Sequence, residues 1–374
     1  MIYLEMKSVA FKYHLAYICK NNPNSATCLK EKLKQERNKY AQLLSSNNTL
    51  DSDELLYFKK CRILYYFLYK NIEKIVCADI KSLEIYEKQF NIYFPKFFNN
   101  MGEEKYNQIS NNLKVLFENE YKRFSKGYLI KVDKKNIYWN AYEYIKLLKV
   151  KVCPYCNAQF TLTIQPSNDQ SEGGPSRAEL DHFISKKEYP IFSMSLYNLV
   201  PSCKVCNQSL KHSRKTSFST HFNPFDKEID TQFHFSRQFK KHKKKRNKIN
   251  YVDAILGETN NFEITISPKG IFNNNWSTES EKIINRKVNN NIKLFRLKSI
   301  YNQHKDFIQE NILKAKIYNE MYLQQLHMDF PILIHNYDIK TLTMKNTNDF
   351  HYNLLSKALH DIIEDEIFSH KKLD

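Results

Sequence analysis

Four of the eight cysteines in this 374-residue chain fall into two C-x-x-C pairs, Cys153/Cys156 and Cys203/Cys206. Two intervening residues let both thiolates of a tight turn face one tetrahedral cation. Two such turns complete a four-thiolate shell, the usual donor set of structural Zn2+. Redox C-x-x-C motifs of the thioredoxin type are expected in a βαβ context, which neither pair has. A closed thiolate shell leaves no open coordination position, so this metal is expected to hold the fold and leave the chemistry to other residues. Lys151 and Lys204 stand beside the pairs and partly offset their negative charge. The insert 157–202 is longer than a compact zinc ribbon needs and must contain structure of its own. Cys19, Cys28, Cys61 and Cys77 are scattered singly and read as packed thiols.

The insert carries ELDHFISKKEYP from Glu179 onward, then NLVPSCKVCN from Asn198, with Lys211 shortly after the second pair. In this order, over residues 153–211, the chain resembles the HNH (ββα-metal) endonucleases in their cysteine-knuckle form. With its CPYC pair and flanking helices it is also similar to the HNH subunits of bacterial antiphage systems of the Septu type, which work beside an ATPase. The resemblance implies a small ββα-metal module and hydrolysis of phosphodiester bonds, most simply in DNA. A neutral imidazole can take the proton of an attacking water at neutral pH, which makes His182 the expected base. Asp181 and Asn207 would be oxygen ligands to a catalytic divalent ion, Mg2+ or Mn2+, which polarises the phosphate and stabilises the leaving oxygen. Asn198 corresponds to the motif's central Asn, which holds the loop so that the His is oriented. Lys186, Lys187, Lys211 and His221 are expected substrate contacts. In a regular strand Asp181 and His182 would point to opposite faces, so they must flank the phosphate from two sides or sit at a strand end. Lys211 also stands slightly further beyond the Cys-Asn pair than the family's usual Lys.

The composition suits a polyanion partner. Lys and Arg total 58 against 40 Asp and Glu, a formal charge of +18, and nucleic acid is the commonest polyanion that such a protein meets. Gly and Pro are scarce, at 6 and 10, while Tyr and Phe number 25 each, which favours long, aromatic-packed helices. The longest apolar run, 63–69, is bounded by Arg62 and Lys70, far short of the roughly 20 residues that cross a membrane. A cytoplasmic setting without membrane contact is expected. No P-loop is present, so any ATP dependence must come from a partner subunit.

The elements that must position the site are mostly helical. Residues 1–150 are expected to be a helical region, with a helix start at 51–54 and apolar residues at three- and four-residue steps through 53–90. The nuclease module with its zinc site is placed at 151–235, a basic segment with short strands at 236–280, and a second helical region at 281–374. Residues 161–164 and 262–266 alternate as strands do, 165–177 reads as a loop, and 237–248 is a run of basic residues. Tyr301, His304 and Lys305 share a helix face, which could bind backbone or simply cap and pack. The fold class expected is mainly α with a small α+β insert. The alternatives are a non-catalytic zinc-knuckle nucleic-acid binder and an interaction scaffold.

Overall fold

The computed structural model describes residues 1–19, 28–46, 51–98, 104–164, 175–239, 261–268, 278–318, 320–331 and 344–368. It is mostly helical, with three two-stranded antiparallel sheets among the described residues. No helix among them is long and apolar enough to cross a membrane. The core of the basic run, 240–248, lies outside the described residues. Its first member, Arg237, is committed to Glu366 (Nε–Oε1 2.9 Å) and lies over the Phe239 ring.

Local chemistry sets the helix boundaries. Helix α1 covers Ser8–Cys19, α2 Leu29–Ser46 and α3 Ser52–Cys77. The Asp51 carboxylate accepts the Glu54 N–H at 2.6 Å and caps α3, as its sequence suggests. Tyr57, Cys61, Leu64, Tyr65, Leu68 and Ile72 form its buried stripe, and each fully buried apolar side chain contributes about 1.5–3 kcal/mol. The apolar pattern of 53–90 is not one helix. Asp79 caps a new one, α4 (Ile80–Tyr93), by accepting the Ser82 N–H, because its carboxylate satisfies a free amide better than helix continuation would. After a short turn, α5 (Pro95–Phe98), the long α6 runs Glu104–Lys126.

Sequence patterning misses a hairpin inside the N-terminal region. Strands β1 (Tyr128–Val132) and β2 (Lys135–Trp139) pair antiparallel around Asp133 and Lys134, both at positive φ; such two-residue turns match the twist of the strands. Gly127 begins the hairpin at φ 79°, where a Cβ would stand 2.3 Å from that of Asn140. Asn140 then caps α7, Ala141–Leu148.

These helices reach the insert through polar contacts. Trp139 donates Nε1–H to His14 Nδ1 (3.2 Å), so the imidazole proton sits on Nε2 and is donated to the Met194 carbonyl at 2.7 Å. Ser195 Oγ donates to Ile75 O, Tyr144 OH to the carbonyls of Leu196 and Leu199, and Tyr189 OH to Asn91 Oδ1. Burial pushes the His14 imidazole down from 6.5 to about 4. Because this pKa is depressed on folding, the stabilisation is fully present above pH 6.5. It is lost as pH falls toward 4, where the unfolded chain takes up a proton that the folded ring refuses. A shift of this size corresponds to about 3 kcal/mol. His14→Gln is therefore expected to flatten the acid-side loss of stability across that window in denaturant titrations; an unchanged slope would show that His14 does not titrate as its burial requires.

Beyond the insert, β5 (Phe233–Phe239) pairs with β6 (Phe262–Pro268), which contains the expected 262–266 strand. Residues 161–164 make no such strand. Isolated bridges join Val152 to Phe160 and Ile164 to Ser176, while Leu162 and Ile164 stay exposed. Among the described residues this alternating stretch pairs only through those single bridges. Helices Glu279–Leu294, Leu297–Asn302, Lys305–Ile317, Glu320–Asp329 and Ser356–Ile363 occupy the stretch expected to be helical at the C-terminal side. Asn291 bonds both backbone groups of Phe222, and Asn302 both of Ile264, as a paired strand would. Tyr301 is buried against Phe235 and Lys305 donates to Phe262 O, so this face packs and caps. One buried apolar cluster runs from Met1 to Ile363 through every one of these segments.

Candidate functional site

The two C-x-x-C turns come together as their spacing predicts. One ligand atom from each of Cys153, Cys156, Cys203 and Cys206 lies within 4.8 Å of the other three, and all four residues are buried. The turns fold the same way: Asn157 N–H donates to Cys153 O at 2.7 Å and Asn207 N–H to Cys203 O at 3.0 Å. Backbone amides aim at sulfur, Ala158 N–H to Cys156 Sγ and Cys206 N–H to Cys203 Sγ. Hydrogen bonds from Cys153, Cys156 and Cys206 hold the Cys203 thiol well below its ordinary value, while burial pushes Cys153 up. Neighbouring thiols do the same to Cys206. Four converging buried sulfurs with amide support fit a thiophilic cation such as zinc.

The first turn is also a clamp. Asn157, at φ 53°, donates Nδ2–H to the carbonyls of Phe350 and Asn353 and accepts from the Lys357 N–H, while its own carbonyl accepts the Leu355 N–H at 2.6 Å. The N-terminal end of helix Ser356–Ile363 is thus built onto the cysteine turn.

Strand β3 (Glu179–His182) pairs with β4 (Leu199–Ser202), with Asp181 opposite Val200 and His182 opposite Leu199. His182 is the last residue of its strand, which resolves the alternation problem: the ladder ends there, and both side chains reach one cavity. That cavity, about 360 Å³, is lined among others by Asp181, His182, Lys186, Lys187, Asn207 and Lys211. His182 Nε2 stands 3.1 Å from the Ser193 carbonyl. A carbonyl only accepts, so the neutral ring carries its proton on Nε2 and keeps Nδ1 as a base. Burial, with Lys186 and Lys211 nearby, pushes the imidazole down to about 3, so the ring is neutral at physiological pH.

Asn198 is fully buried and does not touch the cavity. Its Oδ1 accepts the Ile184 N–H at 2.6 Å, and its Nδ2–H groups go to Ile184 O and Phe192 O. It ties the chain after His182 to the turn that supplies Ser193, a positioning role. Asn207 is the third residue of a π-helical stretch, Val205–Lys211, closed by the bond from His212 N–H to Asn207 O. Such wide turns are rare and favour functional sites. Lys211 Nζ then donates to Asp181 Oδ1 at 2.7 Å and to His182 O at 2.5 Å, with almost no exposure.

Lys186 lies over the Tyr121 ring, 5.2 Å from its centroid, and Tyr121 in turn packs edge-on against His182 at 4.6 Å. His221 stands apart: it bonds Thr220 and is not among the cavity-lining residues. Burial, with Lys211 and Lys287 at longer range, pushes it down to about 4. Sequence reasoning missed three residues. Tyr155, inside the first cysteine pair, donates its OH to Asp181 Oδ2 at 2.6 Å and stacks on Phe295. A Tyr locked between two metal-ligand candidates is buried, and a buried phenol needs a partner, which was the available signal. Glu179 accepts from Asn207 Nδ2 at 2.9 Å and from Gln208, and Arg214 joins the lysines at the cavity rim. Nothing local in the sequence marks either.

No family model, curated protein or solved structure matches this chain. The chemistry available is therefore read from the side chains alone: a neutral, oriented imidazole, a buried carboxylate, a carboxamide, and a rim with more basic than acidic groups. That set suits proton abstraction next to a bound anion.

Proposed function

We propose that this chain is a metal-dependent endonuclease of the HNH type that hydrolyses phosphodiester bonds of nucleic acid, DNA foremost, with Zn2+ in the tetrathiol centre. The observation that carries the reading is the convergence of His182, Asp181, Asn207 and Lys211 on one cavity, with the His182 proton held on Nε2 by the Ser193 carbonyl. His182 Nδ1 takes the proton of the attacking water. Asp181 and the carbonyl oxygen of Asn207 suit a hard divalent ion, Mg2+ or Mn2+, which when bound polarises the phosphate and stabilises the leaving oxygen. Tyr155 fixes the Asp181 carboxylate, and Asn198 fixes the loop behind His182. Lys186, Lys187 and Arg214 neutralise flanking phosphates. Contact with about five phosphates would give a log–log salt slope near −4 to −5. The chain would then be the effector of a bacterial antiphage system, with any ATP dependence supplied by a partner subunit.

A second reading has one observation in its favour. The Lys211 ammonium already pairs with Asp181, which suits a non-catalytic zinc-knuckle nucleic-acid binder. Cleavage separates the two. The purified chain, incubated with plasmid, linear duplex, single strand and tRNA, is expected to cut at least one of them in Mg2+ or Mn2+, to stop in EDTA and to resume on adding the divalent ion. Salt-sensitive DNA retention without cleavage would sink the enzyme and keep the binder.

A further inference from the structure

Every oxygen of the Asp181 carboxylate is already used. Oδ2 accepts from the Tyr155 OH at 2.6 Å and Oδ1 from Lys211 Nζ at 2.7 Å. The same ammonium reaches the His182 carbonyl at 2.5 Å, and both Lys211 and Asp181 are nearly inaccessible to solvent. Beside them, the amide nitrogen of Asn207 is committed to Glu179, which leaves its carbonyl oxygen as the remaining ligand atom. A lysine is rarely buried unless its charge is met. Here the charge is met by the carboxylate and a main-chain carbonyl, two hard oxygen donors of the kind that hold Mg2+. The π-helical stretch Val205–Lys211 delivers the ammonium to this place, because it carries Asn207 near one end and Lys211 at the other.

Resting on the nuclease reading for what the divalent ion would do, we propose that Lys211 is a built-in cation. Its ammonium fills the divalent-ion position at Asp181, so Lys211 and Mg2+ or Mn2+ exclude one another there. Two cations cannot share one carboxylate oxygen in a dry pocket without strong repulsion. Binding of the divalent ion must therefore release Lys211, and the freed ammonium lies in the cavity whose rim the phosphates would meet. Metal entry and phosphate binding become coupled: an anion that accepts the displaced ammonium favours the metal-bound state, and the coupling is reciprocal. The resting site is folded without any divalent ion and has low affinity for one.

The test uses zinc-loaded full-length protein and Mn2+ alone as probe, read by the electron paramagnetic resonance of free Mn2+ and by thermal melting. Wild type is expected to bind Mn2+ weakly and to melt at the same temperature with or without it. Lys211→Met leaves Asp181 buried and unpaired, so it should melt earlier without Mn2+, bind Mn2+ at least about tenfold more tightly, and recover melting temperature when Mn2+ is added. Lys211→Gln, which keeps a donor for the His182 carbonyl, should show the same tightening if the methionine variant folds poorly. Adding Asp181→Asn to either variant should abolish both the tightening and the recovery. Unchanged or weaker Mn2+ binding by both Lys211 variants would overturn the proposal. These readouts need no cleavage. An active wild type with Mn2+-insensitive Lys211 variants retires the built-in cation and keeps the nuclease, whereas tightened Mn2+ binding in an inactive protein does the reverse.

Discussion

If the four-cysteine cluster holds zinc, Cys203→Ala is expected to abolish metal binding there and to abolish the cooperative melting transition. Structural zinc contributes about 10–16 kcal/mol in isolated knuckles, as much as the whole stability of a typical domain, about 5–15 kcal/mol. The Cys203 sulfur lies within 4.8 Å of the other three, so its loss leaves three buried thiols and an incomplete donor set. Damage should spread beyond the site. Asn157, held in its left-handed conformation by the first cysteine turn, supplies the bonds that seat Leu355, Lys357 and the carbonyls of Phe350 and Asn353. Hydrogen exchange should therefore show residues 344–368 losing protection along with the turns, although Asn157 and Asn353 are far apart along the chain. Cys28→Ala and Cys61→Ala serve as controls. Both thiols are buried but lie outside the cluster, and each should cost only the small loss of a packed side chain, about 1 kcal/mol. Metal content by atomic absorption and melting by circular dichroism decide the matter. A Cys203→Ala protein that holds no metal and melts like wild type would show that the cluster is not structural.

Much of this arrangement is legible in the residues, and the reasons differ from one part to another. The cysteine pairs are legible because C-x-x-C spacing is fixed by coordination geometry and needs no knowledge of the rest of the chain. Asp51 is legible as a cap because capping is settled within three residues. Asp79 escapes, since apolar residues keep their helical step across it and only the carboxylate marks the break. The β1–β2 hairpin escapes for another reason: Asp133 and Lys134 adopt positive φ without a glycine or an asparagine to announce it. Residues 161–164 err the other way, because alternation shows that a strand would be amphipathic and says nothing about whether a partner exists.

At the site, residue types are legible and partnerships are not. That Asp181, His182, Asn207 and Lys211 belong together is what the resemblance of their order to the cysteine-knuckle HNH pattern implies, and all four line one cavity. That Lys211 meets Asp181, that Tyr155 meets it from the other side and that Ser193 offers a carbonyl to His182 all depend on tertiary placement. His14 is the extreme case. It lies far from the motif in sequence, yet it holds the Met194 carbonyl, one residue beyond the group that fixes the His182 tautomer.

Under the proposed mechanism, His182→Ala should lower the cleavage rate by about 10²–10⁴, the usual contribution of a positioned general base, while DNA affinity and bound zinc stay at wild-type levels. The effect should fall on the chemical step because the ring's hydrogen bond goes to the Ser193 carbonyl and its packing partner is Tyr121. Small exogenous imidazole supplies a test that a merely structural role would not satisfy. Alanine leaves a space beside the cavity in which free imidazole can sit, and rescue should disappear as that imidazole becomes protonated on lowering the pH. The wild type should behave differently. Its own ring, pushed down to about 3 by burial and by Lys186 and Lys211, remains a base well below 6.5, so His182 should impose no acid limb near that value. Rescue in the variant with a normal imidazole titration, beside a wild type that lacks it, would place proton abstraction on His182 Nδ1. A His182→Ala protein that cuts as fast as wild type would remove His182 from the chemistry and with it the reason for reading the cavity as a nuclease site.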